Sequence, residues 1–291
     1  MLNKGLTMSI IFEAESLNYG EGLGNISVLK KMTRGDGRTY TYISRQALRY
    51  SMIGQLGWNN TPVSGKNGVV QFVPEATVAD YPEIDLFGYM KTEAEKSAAT
   101  RPAVVRLSNA ISLEPYSSDT DFLTNMGLAR RADSDNSIAQ REIHHSYYAY
   151  TVTVDLDRIG VDEGTKEELP MDKRAERVCA FLETVRNLYR DIAGRRENLA
   201  PLFVIGGVYD RKNPYFEGLL SVRNNRLMTD AILEVINDDE AVKKNTVCGM
   251  RSVFANTDEA KRILTESGAD TGSVGEFFNK IEDRVKAVYA E

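Results

Sequence analysis

The sequence predicts an α+β fold built on a split βαβ unit. Three observations lead there. Residues 7–17 (TMSIIFEAESL) and the segment from Ser146 (SYYAYTVTVDL) are dense in β-branched, aromatic and apolar residues, as strands are. Two other stretches, beginning near Ser44 and Asp172, repeat apolar residues at helical spacing. The resulting order of strand, helix, strand, insertion, strand, helix, strand is the ferredoxin-like layout shared by RRM domains.

Taken in chain order, the first strand ends at a cluster of Asn18, Gly20, Gly22 and Gly24. The run SRQALRYSMIGQLG predicts a helix: Ser44 is a suitable N-cap, Ala47, Leu48, Met52 and Ile53 form its apolar side, and Gly57 stops it. NGVVQFVP, from Asn67 to Pro74, predicts the second core strand. Residues 75–145 are broken by Pro82, Pro102 and Pro115 into short pieces without long periodicity, which predicts an insertion rather than an independent domain. Beyond the strand at Ser146, the residues Val178, Phe181, Leu182, Val185, Leu188, Tyr189 and Ile192 draw one apolar stripe on a helix expected over 172–197. Its other side carries Arg177, Arg186 and Arg190, either a solvated face or a basic face for a partner. PLFVIGGVYD supplies the last core strand. The remainder, with helical patterns near LMTDAILEVI and GEFFNKIEDRVKAVYA around a strand-like TVCGMRSVFA, stays unassigned to the core.

Composition narrows the function classes. Hydrophobic residues make up 42% and charged residues 27% of the 291, which is ordinary for a chain with a real core and unlike a disordered one. The net charge of −6 argues against a protein that coats nucleic acid with its whole surface. Cys179 and Cys248 are too few for a disulfide framework or a four-cysteine zinc site, which fits a reducing compartment. The opening stretch MLNKGLTMSIIFEAESLN is too interrupted for a secretory signal, so a cytoplasmic, membrane-free location is expected.

The average charge conceals segregation. Lys30, Lys31, Arg34, Arg38, Arg45 and Arg49 face the single acid Asp36 within residues 30–49, a local balance of +5. Acids gather elsewhere, six in residues 75–95 and five in residues 230–240. With Tyr40, Tyr42, Ser44 and Gln46 interleaved, the basic stretch offers the donors and rings used for tracking phosphates. A solvated surface whose charges meet nearby acids fits the composition equally well. The glycines of NYGEGLGN lack the spacing and following helix of a dinucleotide site and read as a turn. His144 and His145 are adjacent, hence on opposite faces of an extended chain, and no catalytic triad can be assembled. Asp36, in RGDGR, is either a turn-forming residue or a catalytic carboxylate holding a metal or a 2′-hydroxyl.

The runs GNISVLKKMTRGDGRTYTYISRQALRYSM, DLFGYM, RPAVVRLSNAISLEPYSSDTDF, SYYAYTVTVDL and NLAPLFVIGGVYDRKNPYFEG together resemble the DevR family of CRISPR-associated proteins, the backbone subunit of type I-B Cascade. The resemblance covers nearly the whole chain in order, and YISRQALR is its most specific string. It implies a modified RRM-like palm (1–74 and 146–223), an inserted thumb or web region (75–145), and C-terminal elements (224–291) packed on the core. It also implies a non-enzymatic antiviral role without metal or cofactor. Copies would join head to tail along a guide RNA, beside other Cascade subunits, with target DNA read by base pairing to the guide. The family's motif falls on Lys30, Lys31, Arg34, Ser44, Arg45, Gln46 and Arg49 as RNA contacts; Arg38 joins them by charge, and Arg101 and Arg106 are candidates within the insertion. Related type III backbone subunits cut RNA with a loop aspartate, so a metal-dependent endoribonuclease using Asp36 is the alternative; the surroundings of Asp36 match the non-nuclease type I family.

Overall fold

A computed structural model describes residues 4–15, 18–20, 22, 24–66, 68–92 and 98–290. The axis of the fold is the strand Gly5–Ala14, which pairs antiparallel along its whole length with Ser146–Asp155, Gly5 opposite Asp155 and Ala14 opposite Ser146. On its other side it pairs antiparallel with Phe203–Tyr209, Gly5 opposite Tyr209. Three of the strands expected from sequence thus form the centre of one sheet, as the split βαβ order requires; Ser16 and Leu17, the expected end of the first, lie outside the described residues. The sheet runs in the order Asp270–Gly272, Val247–Met250, Phe203–Tyr209, Gly5–Ala14, Ser146–Asp155, Ala110–Ser112, Thr39–Ile43, Lys31–Thr33, with Val105–Leu107 also pairing Ser146–Asp155.

The helices are α1 (Arg45–Leu56), α2 (Pro82–Phe87), α3 (Met126–Ala132), α4 (Met171–Arg186), α5 (Asp230–Asp238), α6 (Glu240–Asn245), α7 (Thr257–Glu266) and α8 (Val274–Ala290). Alternation along the central strand sends Leu6, Met8, Ile10 and Phe12 to one face, into a core completed by α1, α4 and α8. There Val178, Phe181, Leu182 and Val185 of α4 meet Phe277, Phe278, Ile281 and Val285 of α8. On the opposite face α5, α6 and α7 cover Phe203, Ile205, Cys248 and Met250. The C-terminal third therefore completes both cores and extends the sheet. Among the described residues no helix is long and apolar enough to cross a membrane.

Three sequence expectations change. The strand expected at 67–74 is not in the main sheet: Val69–Phe72 pairs with Val63–Lys66 in a separate hairpin, and Asn67 lies outside the described residues. Its Val69 and Val70 are exposed, so β propensity there is not matched by burial. The place beside Ser146–Asp155 is taken instead by Val105–Leu107 and Ala110–Ser112, a strand broken at Ser108 and Asn109 that the sequence division put in the insertion. The second charged helix ends at Arg186, not 197. Leu188 continues the apolar stripe and is buried in the same core, but Tyr189–Ile192 folds back on Arg195–Asn198 through Ala193 (φ 53°) and Gly194 (φ 79°), both left-handed, as a two-residue hairpin turn needs.

Arg101, expected to contact RNA, is 5% exposed and belongs to the interior. It donates to Asp85 Oδ1 at 2.7 Å and to the carbonyls of Asp85, Arg158 and Val161. Asp85, itself fully buried, also accepts from Arg177 at 2.7 Å and from the Gly160 amide at 2.9 Å and 3.0 Å. Arg177 reaches on to the carbonyls of Val78 and Ala79, both at 2.7 Å. One carboxylate thereby ties α2, the Ala99–Arg101 strand, the turn at 158–160 and α4 together. Gly160 has to be glycine: its φ is 68°, and a Cβ there would sit 2.8 Å from that of Leu169. Asp85→Ala leaves two buried guanidinium groups without their carboxylate and should cost about 3–5 kcal/mol in chemical denaturation; a loss under about 1 kcal/mol would show that other groups anchor this corner.

Candidate functional site

The basic stretch folds as a hairpin leading into a helix. Lys31–Thr33 pairs with Thr39–Ile43, and the connecting turn is closed by Arg34 N–H donating to the Arg38 carbonyl at 3.1 Å. Asp36 organises that turn. It accepts from the Arg38 amide at 3.0 Å and from the Tyr40 hydroxyl at 2.6 Å, while the Arg34 guanidinium lies 4.9 Å from the Tyr40 ring centre. The Tyr40 bond first, then the Arg38 amide, then the charges of Arg38 and Arg34 hold the Asp36 carboxyl below its ordinary range. Asp36 is therefore an ionised turn residue with both oxygens engaged.

Ser44 caps α1: its hydroxyl accepts from the Ala47 amide at 3.3 Å and from the Asn18 side chain at 3.1 Å. Asn109 adds a second acceptor, 2.9 Å from the Arg45 amide, and Gly57 ends the helix in a left-handed conformation. Leu48, Met52 and Ile53 fix the inner side in the core, so Arg45, Gln46, Arg49 and Tyr50 are exposed on the outer side.

The cations differ in what they meet. Lys31 is paired with Glu142 at 2.6 Å and sits 4.5 Å from the Tyr116 ring centre. Among the described residues Lys30, Arg34, Arg38, Arg45 and Arg49 form no ion pair. The reading in which this stretch is neutralised by neighbouring acids thus holds for Lys31 by a direct ion pair, while Arg34 and Arg38 share the charge of Asp36 without one.

Two cavities adjoin this surface. One, of about 690 Å³, lies over the sheet between Ser9, Thr151 and Thr153 and the Lys212–Leu220 loop, and Arg34, Arg45 and Arg106 line it. Another, of about 570 Å³, is lined by Arg45, Gln46, Arg49 and Arg106 with Phe87 and Leu107. Arg45 and Arg106 belong to both, so the two form one trough passing the N-terminal end of α1. Arg106 is paired with Asp155 at 2.9 Å and keeps nearly half its side chain exposed. A flexible anion with periodic charge fits such a trough: separate cations for its charges, and neutral Ser108, Asn109 and Gln46 for its other polar groups.

Of the residues expected from sequence, Arg34, Arg45, Gln46, Arg49 and Arg106 converge here. Lys30, Lys31 and Arg38 stand at the hairpin edge outside the trough lining, Ser44 serves as a cap, and Arg101 is buried. Sequence reasoning missed Asn109 and Lys212, which arrive from distant segments; a polar break in an apolar run was the only local sign of the first.

The family described as CRISPR-associated negative auto-regulator DevR/Csa2 matches residues 6–222. The chain belongs to this family. Every residue lining the trough falls within the matched span. A chain of a solved "CRISPR RNA-guided surveillance complex, pre-nicking" is similar in fold, with TM-score 0.62 at 14% identity, covering 98% of this chain and 100% of that one. A chain of another "CRISPR RNA-guided surveillance complex" gives TM-score 0.58 at 18% identity, covering 97% of this chain and 98% of the other. No curated protein sequence matches. The DevR/Csa2 fold is thus an α+β sheet of this kind.

The two histidines lie outside the trough lining. His145 points out toward Glu13 at 3.5 Å, whereas His144 is buried, its Nδ1 2.8 Å from Thr41 Oγ1 and its ring edge-on to Tyr116. Burial holds the His144 pKa below its ordinary 6.5, reinforced by His145 and opposed by Glu114. Since the unfolded chain then takes up a proton that the folded chain refuses, stability should fall as pH drops through 6.5. Thermal melts of the wild type and His144→Gln check this: the variant should lose part of the acid sensitivity, and an unchanged pH dependence would place its origin elsewhere.

Proposed function

We propose that the protein is a non-enzymatic, cytoplasmic guide-RNA-binding backbone subunit of type I-B Cascade, polymerising head to tail along CRISPR RNA in antiviral defence. Other Cascade subunits complete the assembly, and target DNA is recognised by pairing with the guide. The observation that carries this reading is the group of five cations without an ion pair among the described residues, on a chain of net charge −6, gathered on one hairpin and one helix beside an open trough. Membership of a CRISPR-associated family and a fold similar to chains of RNA-guided surveillance complexes support it. Phosphates supply the charges those cations lack, and counterion release supplies affinity without base preference. The loop and helix are pre-organised by Asp36, Ser44 and Asn109, so little ordering cost is added on binding.

Binding of single-stranded RNA should weaken with salt at a log-log slope of about −3.5, from ~0.7 for each of five phosphates met. Replacing Arg45 and Arg49 together by Ala should reduce that slope by about 1.4 and strip RNA from the purified protein, with the unfolding midpoint unchanged. A slope near zero, or undiminished RNA content in the double variant, would contradict the reading.

The alternative, a metal-dependent endoribonuclease, places Asp36 at the chemistry. Its engagement with Tyr40 and Arg38 favours the turn role. Incubating the RNA-loaded protein with complementary RNA and magnesium should give no cleavage that depends on Asp36; regularly spaced cuts abolished by Asp36→Ala would reverse the choice.

A further inference from the structure

A larger groove, of about 1090 Å³, lies on the far side of α1, between that helix, the Val63–Phe72 hairpin and the strand Tyr189–Ile192. Gln46 and Arg49 line both this groove and the trough, so the two communicate across the exposed face of α1. We propose that the groove receives an unpaired nucleobase of the bound strand, with the Tyr50 ring as its stacking face. This rests on the RNA reading above and adds a place where the strand's base, rather than its phosphate, is held.

The chemistry of the lining selects this ligand. Tyr50 is 82% exposed, and its ring has no aromatic or cationic partner among the described residues. Covering that ring is favourable for any flat heteroaromatic group, since base–aromatic stacking tolerates every base. The same groove is lined by the apolar Ile53, Val63 and Phe72 and by Gln46 and Asn59, whose side-chain amides make no hydrogen bond among the described residues. An amide both donates and accepts, as the edge of a base does. Thr61 also lines the groove and has a buried hydroxyl without a partner. By contrast Gln55 and Asp191 are already committed, the first to the backbone of Asn187 and Tyr189 and the second to Arg196.

The charged groups of the lining are of both signs. Glu83 lines the groove as a carboxylate, Asp191 is held by Arg196 at 2.8 Å, Arg190 lines the groove beside it, and Arg49 lines both groove and trough. With Arg49 on the trough side, a nucleotide fits with its phosphate at Arg49 and its base toward Tyr50. A purely apolar segment of a protein partner would use the ring and wall but leave the amides unsatisfied.

The test compares the full chain with Tyr50→Ala and Tyr50→Phe, which should fold alike because the side chain is exposed. Fluorescence anisotropy with labelled single-stranded RNA, and with an abasic ribose-phosphate strand of the same length, reads both contributions. Tyr50→Ala should weaken RNA binding about tenfold, the scale of one lost stacking contact, and leave abasic binding and salt slope unchanged; Tyr50→Phe should bind as the wild type does. If Tyr50→Ala binds RNA unchanged while the wild type keeps its salt dependence, the base site is wrong and the RNA reading stands, the groove then facing a protein partner. If the wild type binds neither strand, both readings fall.

Discussion

The constraint on which the rest depends is the register of the central strand. Because side chains alternate, the pairing of Gly5 with Asp155 and with Tyr209 sends Leu6, Met8, Ile10 and Phe12 into the helical core. The same register puts Ser9 on the opposite face, its hydroxyl 2.7 Å from that of Thr151, beneath the trough. A slip by one residue would exchange the sets, burying hydroxyls under α4 and exposing Phe12. The core and the polar floor of the candidate site are thus two sides of one pairing. Glycine enforces closeness at one flank: a Cβ at Gly206 would fall 2.1 Å from the Thr7 carbonyl oxygen, so Phe203–Tyr209 can lie this near only without a side chain there.

Concentrating unpaired cations works against local stability. Helix N-termini favour acids, yet the first turn of α1 has none and begins with Arg45. The structure offsets this locally: Ser44 and Asn109 satisfy amides at the helix start, and the rings of Tyr40 and Phe87 lie 4.9 Å and 5.8 Å from the guanidinium groups of Arg34 and Arg49. Nearby acids are occupied elsewhere, Asp85 by Arg101 and Arg177, Asp155 by Arg106, Asp157 by Lys212. The acidic average and the basic trough are consistent because the charges are segregated: acids gather in residues 75–95 and 230–240, while Lys30, Arg34, Arg38, Arg45 and Arg49 form no ion pair among the described residues.

What was legible in sequence was what local physics decides. The helix at Ser44–Gly57 was readable at both ends because its cap and its stop are side-chain and backbone properties of single residues. The central strands were readable from composition. The strand at 105–112 was not, because its halves are three residues each and only the partner strand makes them one edge. The stripe through Leu188, Tyr189 and Ile192 matched a helix by spacing, and a two-residue turn with positive φ overrode it. Arg101 and Arg106 were indistinguishable in sequence, five residues apart in one insertion; what separates them is Asp85, which buries the first, while the second faces the trough.

The residues that did not converge on the trough still have a physical place. Among the described residues Lys31–Thr33 ends the sheet, so one side of this strand is a free edge there, and free edges invite pairing with another chain. Short length and basic side chains are the usual protection, and here Lys30, Lys31 and Arg38 stand on that edge or at its turn. The Lys31–Glu142 pair also clamps the edge to the strand Ile138–Glu142, whose Glu142 accepts from the Leu29 amide at 2.8 Å as well. The +5 stretch is therefore two devices in one run of sequence. Lys31 fixes the inserted hairpin against the sheet edge, and Arg34, Arg45 and Arg49 line cavities.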